Sequence, residues 1–233
     1  MQKSMDRQML PERLVQGYCS FAGGRFAAER SRYEVLAQKG QRPEVMIVGC
    51  VDSRVSPEVI FDAFPGELLV LRNVANLVPA YEPEFNYQHG TSAALEFGVQ
   101  VLRVKHIVVL GHALCGGIRA FADGLEPQSP GDFIGRWMSQ IAPAAASLGP
   151  RRTDASAYLH RLELASIELS LKNLMTFPWI KVQVQDGNLS LHGAYFSVAD
   201  GRLLVRNPAA GCFEPVTARL SNPRPILEAS DEI

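Results

Sequence analysis

The sequence predicts an α/β protein: a mostly parallel β-sheet flanked by helices. Three observations carry this. Short apolar runs of strand length recur, at Val45–Cys50, Leu68–Leu71 and Ile107–Gly111. Stretches of helical spacing lie between them, the clearest being Thr91–Val104. Strand, helix, strand, helix in succession calls for crossover connections, which build a parallel sheet covered on both faces.

Composition bounds the rest. The chain has 233 residues, 47% apolar and 20% charged, which is ordinary for one large globular domain. A chain of this size hides about 70% of its unfolded surface. A net charge of −1 favours neither nucleic acid nor an anionic membrane as partner. No apolar run reaches the ~18 residues of a membrane span, and Met1-Gln-Lys-Ser-Met-Asp carries no signal-like stretch. Four cysteines do not make a disulfide scaffold, so a reducing cytoplasm is the expected compartment. No repeat or domain boundary is visible. The expectation is a single domain, with a helical arm over 1–40, an α/β core over 41–206 and an irregular tail over 207–233.

Taken in order, Met1 to about Lys39 reads as helical. Leu10, Leu14 and Tyr18 are spaced by four, and Gly23-Gly24 divides the segment in two. Such an arm has no sheet of its own to cover and can lie on a second subunit. Glu44 to Cys50 is the first strand. Ser56-Pro57-Glu58 starts a short helix, with serine as cap, proline in the first turn and an acid at the positive end. Leu68–Leu71 is the second strand, followed by a long proline-bounded loop from Arg72. Such loops are often functional. Helix over Thr91–Val104 and strand over His106–Gly111 follow, then a short helix over Gly116–Ala122. Ile134–Leu148 reads as helical despite Pro143. Ala155–Met175 is a long helix with Leu159, Leu162, Ile167, Leu171 and Leu174 inward. Ile180–Val184 and Leu189–Val198 read as strands around Asp186-Gly187-Asn188, and Leu203–Val205 as another.

Two strand ends carry the chemistry. Val-Gly-Cys50-Val-Asp52-Ser-Arg54 closes the first strand, and Leu-Gly-His112-Ala-Leu-Cys115-Gly-Gly117 closes the third. If those strands are neighbours, Cys50, His112 and Cys115 converge at the carboxyl edge, where open α/β sheets place their sites. Two thiols and an imidazole suit zinc with a fourth position open. Asp52 either closes that position as a fourth ligand or is held off it by a bidentate pair with Arg54. In the second case its free oxygen accepts a hydrogen bond from water at the metal. Gly116 and Gly117 open a helix with bare N–H groups, which favours an anion. Cys19 and Cys212 have no metal-spaced partner and read as ordinary thiols.

Cys50-Val-Asp52-Ser-Arg54 with His112-Ala-Leu-Cys115-Gly-Gly resembles the β-class carbonic anhydrases. The resemblance covers about Gln41 to Ala122, including Gly66-Glu67 and Arg72-Asn-Val-Ala-Asn76, and continues more weakly through the C-terminal strands. It implies one Zn²⁺ per subunit on Cys50, His112 and Cys115, with Asp52 and Arg54 as the catalytic dyad. It implies reversible hydration of carbon dioxide to bicarbonate and a proton by zinc-hydroxide attack, in a homodimer or a dimer-based higher oligomer whose N-terminal helices pack across the partner. The chain is most similar to the plant-type branch. Gln41 falls at that branch's substrate-contacting glutamine, and Leu77-Val-Pro-Ala-Tyr81 also resembles it. The other branch's inhibitory bicarbonate site uses a tryptophan where this chain has Ile47. Phe97 departs from the plant-type tyrosine. Leu69, Val74 and Phe97 are candidates for the pocket wall, and Gln41 with the Gly116 N–H for holding substrate oxygens. Hydrolysis of carbonyl sulfide or carbon disulfide on the same fold is the nearest alternative; a non-catalytic zinc-stabilised binding module is the other. The sequence lacks the Gly-x-Gly-x-x-Gly that a nucleotide-binding domain needs after its first strand.

Overall fold

The computed structural model describes residues 10–83, 89–124, 133–151 and 154–217. The described residues fall into two compact units, one over 10–41 and one over 42–217. The described part of the first unit is three helices: α1 (Glu12–Gly23), α2 (Arg25–Ala28) and α3 (Arg30–Lys39). The break at Gly24 falls where the glycine pair predicts it, and a second kink follows at Glu29. Phe21, Phe26 and Tyr33 stack together, with centroids 5.0 to 6.1 Å apart, and tie the three helices into one body. No residue of α1 is buried, and Leu14, Val15 and Tyr18 stand exposed on it. Positions 1–9 of the expected helix and 218–233 of the expected tail lie outside the described residues.

The second unit is built on a six-stranded sheet. Its strands are β1 (Val45–Cys50), β2 (Leu68–Asn73), β3 (His106–His112), β4 (Ser190–Phe196), β5 (Leu203–Asn207) and β6 (Cys212–Pro215). The spatial order is β2-β1-β3-β4-β5-β6. The first four strands run parallel, and β5 and β6 are added antiparallel. The sheet is therefore mixed, as the expectation of a mostly parallel one allows. The chain goes from β1 outward to β2 and then crosses to β3 on the other side of β1. That reversal leaves a crevice at the carboxyl ends of β1 and β3.

The flanking helices are α4 (Pro57–Ile60), α5 (Gly90–Glu96), α6 (Gly116–Ala122), α7 (Phe133–Met138), α8 (Ala142–Leu148), α9 (Ala155–Leu174) and α10 (Pro178–Gln185). Ser56 sits at the N-cap of α4, but its hydroxyl bonds the Glu58 carboxylate at 2.9 Å instead of a backbone N–H. The helix after Thr91 is shorter than its pattern suggests, passing into a π turn over Phe97–Val101. Pro143 does not interrupt a helix: it stands in the first turn of α8, where its missing N–H costs nothing. Asp154 caps α9, its carboxylate accepting the Ala157 N–H at 2.9 Å, a bond worth about 1 kcal/mol.

Two sequence expectations are corrected. Ile180–Val184 is not a strand but the body of α10. Its alternation of β-branched and polar residues mimics a period of two, yet Ile180 is buried while Val182 is half exposed. Pro178 in the first turn starts a helix after Phe177, and Gly187 at φ 74° stops it. Residues after Asn207 are not all irregular. Gly211 at φ 67° turns the chain, and Cys212–Pro215 pairs with β5 as the edge strand, where proline is tolerated.

The main core lies between one sheet face and helices α5, α9 and α10, with Met46, Val48, Ile107, Val109, Ile167, Leu174, Phe177 and Ile180 fully buried or nearly so. Helix α9 crosses β3 and β4 so closely that a Cβ on Gly111 would stand 2.7 Å from Ile167 Cδ1. Gly116 meets nothing within 4 Å. Gly111→Ala should therefore lower stability by about 1–3 kcal/mol through overpacking, read as a fall in melting temperature, whereas Gly116→Ala should not lower it.

Candidate metal centre

The register sets the site. β3 is offset from β1 by 61 positions, since Val45 pairs with His106 and 106 − 45 = 61. Cys50 thus stands level with Gly111, one residue before His112. On the other side Cys50 pairs with Asn73, the last residue of β2. Cys115 arrives from the loop that leaves β3 and is the N-cap of α6. The ligand atoms of Cys50, His112 and Cys115 lie within 4.8 Å of one another, and all three residues are buried.

The local backbone is bent to achieve this. Leu114, between the histidine and the second cysteine, has φ 58°, and Ala75 and Asn76, after β2, have φ 63° and 49°. Each left-handed non-glycine residue costs about 1 kcal/mol or more. Trp137 donates to the Val74 carbonyl at 2.7 Å, and Asn73 exchanges two side-chain bonds with Leu77, which hold the second bend. Gly117 fits closely at its place: a Cβ there would meet Val74 at 3.0 Å and Met138 at 3.3 Å, tight contacts that those side chains would have to yield to.

The donor set fits a zinc ion. His112 Nδ1 lies 3.0 Å from the Ala113 carbonyl, so that nitrogen carries the proton and donates. Nε2 is left as a bare lone pair, buried and without a hydrogen-bond partner. An orphaned buried acceptor costs about 1–3 kcal/mol unless something fills the role. Both cysteine sulfurs lie beside it. Cys50 is pulled down to about 4, first by the Cys115 thiol that donates to it, with His112 and the N–H groups of Asp52 and Ala75 adding to the pull against burial. Cys115 is pushed far up by that same bond and by burial, although the Ile118 and Gly117 N–H groups oppose this. Burial disfavours a charge on His112, but contact with the Cys50 sulfur outweighs it and raises the ring's value. The two sulfurs cannot both ionise beside each other alone. A divalent cation takes both as thiolates and occupies the Nε2 lone pair.

Asp52 and Arg54 stand at the rim. The strand ends at Cys50, so strand alternation does not bring them together. Instead the chain turns, and the Arg54 N–H folds back onto Asp52 Oδ1 at 3.0 Å. Arg54 Nε donates to Oδ1 at 2.9 Å and Nη2 to Oδ2 at 2.7 Å, a two-pronged fork. Arg54 Nη2 also donates to the Leu114 carbonyl at 3.1 Å. The guanidinium holds the Asp52 carboxyl well below the usual carboxylate range, and Asp52 in turn raises Arg54. Asp52 Oδ2 lies 3.9 Å from His112 Nε2, so it borders the cluster while its oxygens are engaged by arginine.

The remaining candidates divide. Val74 packs with Cys50 and Cys115. Gly116 is the exposed first residue of α6. Leu69 does not join them: it pairs with Met46, four residues down β1 from Cys50, and lies against Gly98 in the main core. Phe97 is 44% exposed at the end of α5, and Gln41 is exposed at the end of the first unit. Two residues that were given no site role from the sequence bind the site's frame. Arg72 donates to the carbonyls of Cys50 and Asp52, both at 2.7 Å, and fixes the exit of β1. Glu163, on α9, is 5% exposed and accepts the Cys115 N–H at 3.1 Å. The second carried a signal: a carboxylate next to Leu162 on the inward stripe of a helix.

A profile of the family described as carbonic anhydrase matches residues 45–203 of this chain. The chain is 35% identical over 189 residues to the chloroplastic β-carbonic anhydrase 5 of Arabidopsis thaliana, covering 80% of this chain and 62% of that protein. It thus spans less than two thirds of that relative's length. Among solved structures, the β-carbonic anhydrase CcaA superposes with a TM-score of 0.78 at 27% identity, over 89% of this chain and 92% of that one. A tetrameric β-carbonic anhydrase of Sordaria macrospora superposes at 0.69 with 28% identity, over 87% and 98%. The donor set generates a direct test. Elemental analysis of purified protein should find one zinc per chain, and Cys115→Ser or His112→Ala should lose most of it.

Proposed function

The chain belongs to the β-class carbonic anhydrases, and from that premise we propose that it catalyses the reversible hydration of carbon dioxide to bicarbonate and a proton. The observation that carries the reading is the buried Cys50–His112–Cys115 set, its Nε2 unpartnered, beside a carboxylate locked by arginine. Cys50, His112 and Cys115 would hold Zn²⁺, and the chemistry the ion supplies there is Lewis-acid activation of water near physiological pH.

The chain's own groups do the positioning. Arg54 engages both Asp52 oxygens, and with zinc bound this fork would keep the carboxylate off the ion. Oδ2, facing the cluster, keeps a lone pair that accepts the hydrogen bond of the attacking water and aims that water's own lone pair at the substrate carbon. Asp52 stays ionised at every pH above its depressed value, so it orients without changing charge over the working range. Val74 borders the apolar side for a linear, uncharged substrate. The Gly116 N–H, Gln41 and Phe97 remain our candidates for the substrate side.

We also propose a homodimer, or an assembly of dimers, with the N-terminal helices packed on a partner. An apolar face of α1 with no buried residue supports this. No helix among the described residues is long and apolar enough to cross a membrane, and thiol ligands fit the reducing cytoplasm we propose as its compartment.

Turnover, pH dependence and assembly test this. Asp52→Asn and Arg54→Ala should each lower carbon dioxide turnover by about a hundredfold or more with zinc content kept, and turnover of carbonyl sulfide or carbon disulfide should stay below that of carbon dioxide in the unaltered enzyme. Two thiolates leave more negative charge on the ion than three imidazoles, so activity should rise on the alkaline side of neutrality. Because Asp52 is held far below that range, the rising limb belongs to the metal centre, and Asp52→Asn should lower it throughout without moving its midpoint; a rate flat from neutral to alkaline pH contradicts the assignment. In sedimentation, the full chain should run as a dimer or larger, and Leu14→Glu with Tyr18→Glu should shift it toward monomer.

A further inference from the structure

Glu163 is a buried carboxylate with no arginine or lysine paired to it among the described residues. Burying such a charge for packing alone is unfavourable, so its partners are informative. Oε1 accepts the Cys115 N–H at 3.1 Å, and Oε2 accepts the Tyr195 hydroxyl at 2.7 Å. Tyr195 is 3% exposed and pairs with Gly111 in the β3–β4 register, which sets its phenol beside α9. Since that hydroxyl donates to Glu163, its oxygen is free to accept, and His160 Nδ1 stands 3.0 Å away as the donor. His160, Tyr195, Glu163 and the Cys115 amide therefore form one connected chain, with donors from both ends converging on the Glu163 carboxylate. It starts at a cavity of about 590 Å³ that His160, Tyr195 and Glu163 line together with Ala113 and Leu114.

The chain ends on a single peptide unit. The Cys115 N–H belongs to the same peptide as the Leu114 carbonyl, and that carbonyl accepts Arg54 Nη2 at 3.1 Å. The peptide follows the left-handed Leu114, whose side chain is about half exposed. Its N–H end is gripped from the core by Glu163, and its C=O end from the rim by Arg54.

We propose that Glu163 is a positioning residue which, locked by Tyr195 and His160, fixes the Leu114–Cys115 peptide and so holds both the Cys115 sulfur and the Arg54 fork in place. The inference rests on the zinc reading above. Glu163 touches neither substrate nor reacting atoms and works through the backbone of its neighbour. Outer partners of metal ligands commonly govern retention of the ion, with losses of about 10- to 100-fold on removal.

The test is zinc release from the fully loaded protein into an excess of chromogenic chelator, alongside the melting temperature of each metal-free form. Glu163→Ala should release zinc about 10- to 100-fold faster than the unaltered chain. Glu163→Gln should recover most of the loss, because its amide oxygen accepts the Cys115 N–H and its NH₂ donates to the Tyr195 oxygen. Tyr195→Phe should fall between them. A role confined to the fold would lower the metal-free melting temperatures and leave release unchanged. Release at the unaltered rate from folded Glu163→Ala, or Glu163→Gln as fast as Glu163→Ala, overturns the proposal. If Glu163→Ala does not fold, Tyr195→Phe decides, and release at the unaltered rate overturns it. An unaltered chain that takes up no zinc sinks the metal reading and this inference with it, a result distinct from every variant outcome.

Discussion

The stagger of two parallel hydrogen-bond ladders is the constraint on which the site depends. β1 ends level with the last residue of β2 and one residue short of the end of β3, so Cys50, Asn73 and His112 arrive at one edge of the sheet. A slip of one residue on either side would turn the side chains of a strand to its opposite face. What prevents the slip is burial. Met46, Val48, Ile107 and Val109 on one face and Ile47 and Leu110 on the other are all nearly inaccessible in the observed register. The hydrophobic core therefore fixes the positions of the three groups of the candidate metal centre.

At the edge the order changes from apolar packing to satisfied polar groups. Arg72 holds the carbonyls that follow β1, Trp137 holds the bend after β2, and Glu163 with Arg54 holds the peptide that follows Leu114. Three left-handed residues outside glycine lie in this small region. Strain of that kind persists only where the surroundings over-determine the backbone. Here they do, and the polar atom left without a partner in the ligand set is His112 Nε2, the one a metal would take.

Sequence and structure agree where the chemistry is local. Cys50-Val-Asp52-Ser-Arg54 and His112-Ala-Leu-Cys115 carry their own reactive groups, and the apolar runs before them read as strands because buried parallel strands are apolar on both faces. The α10 segment misled because Ile180, Val182 and Val184 are β-branched and alternate with polar residues; burial of Ile180 and a proline in the first turn decided for helix. Strand β6 is too short and too exposed to leave a pattern. Leu69, a pocket-wall candidate, stands four residues before Asn73 on β2, and a strand rise of about 3.3 Å per residue carries it into the core.

The sequence alone determined the ligand types, their order, the Asp–Arg spacing and an α/β frame, since these follow from side-chain chemistry and periodicity within short windows. Only the tertiary structure decided that the thiols and imidazole meet, that a turn rather than strand alternation joins Asp52 to Arg54, and that Arg72 and Glu163 belong to the site's frame. The reason is distance along the chain. Contacts between positions 50 and 72, or 115 and 163, are made by sheet register and helix packing, which depend on the whole core and leave no mark in either neighbourhood of residues.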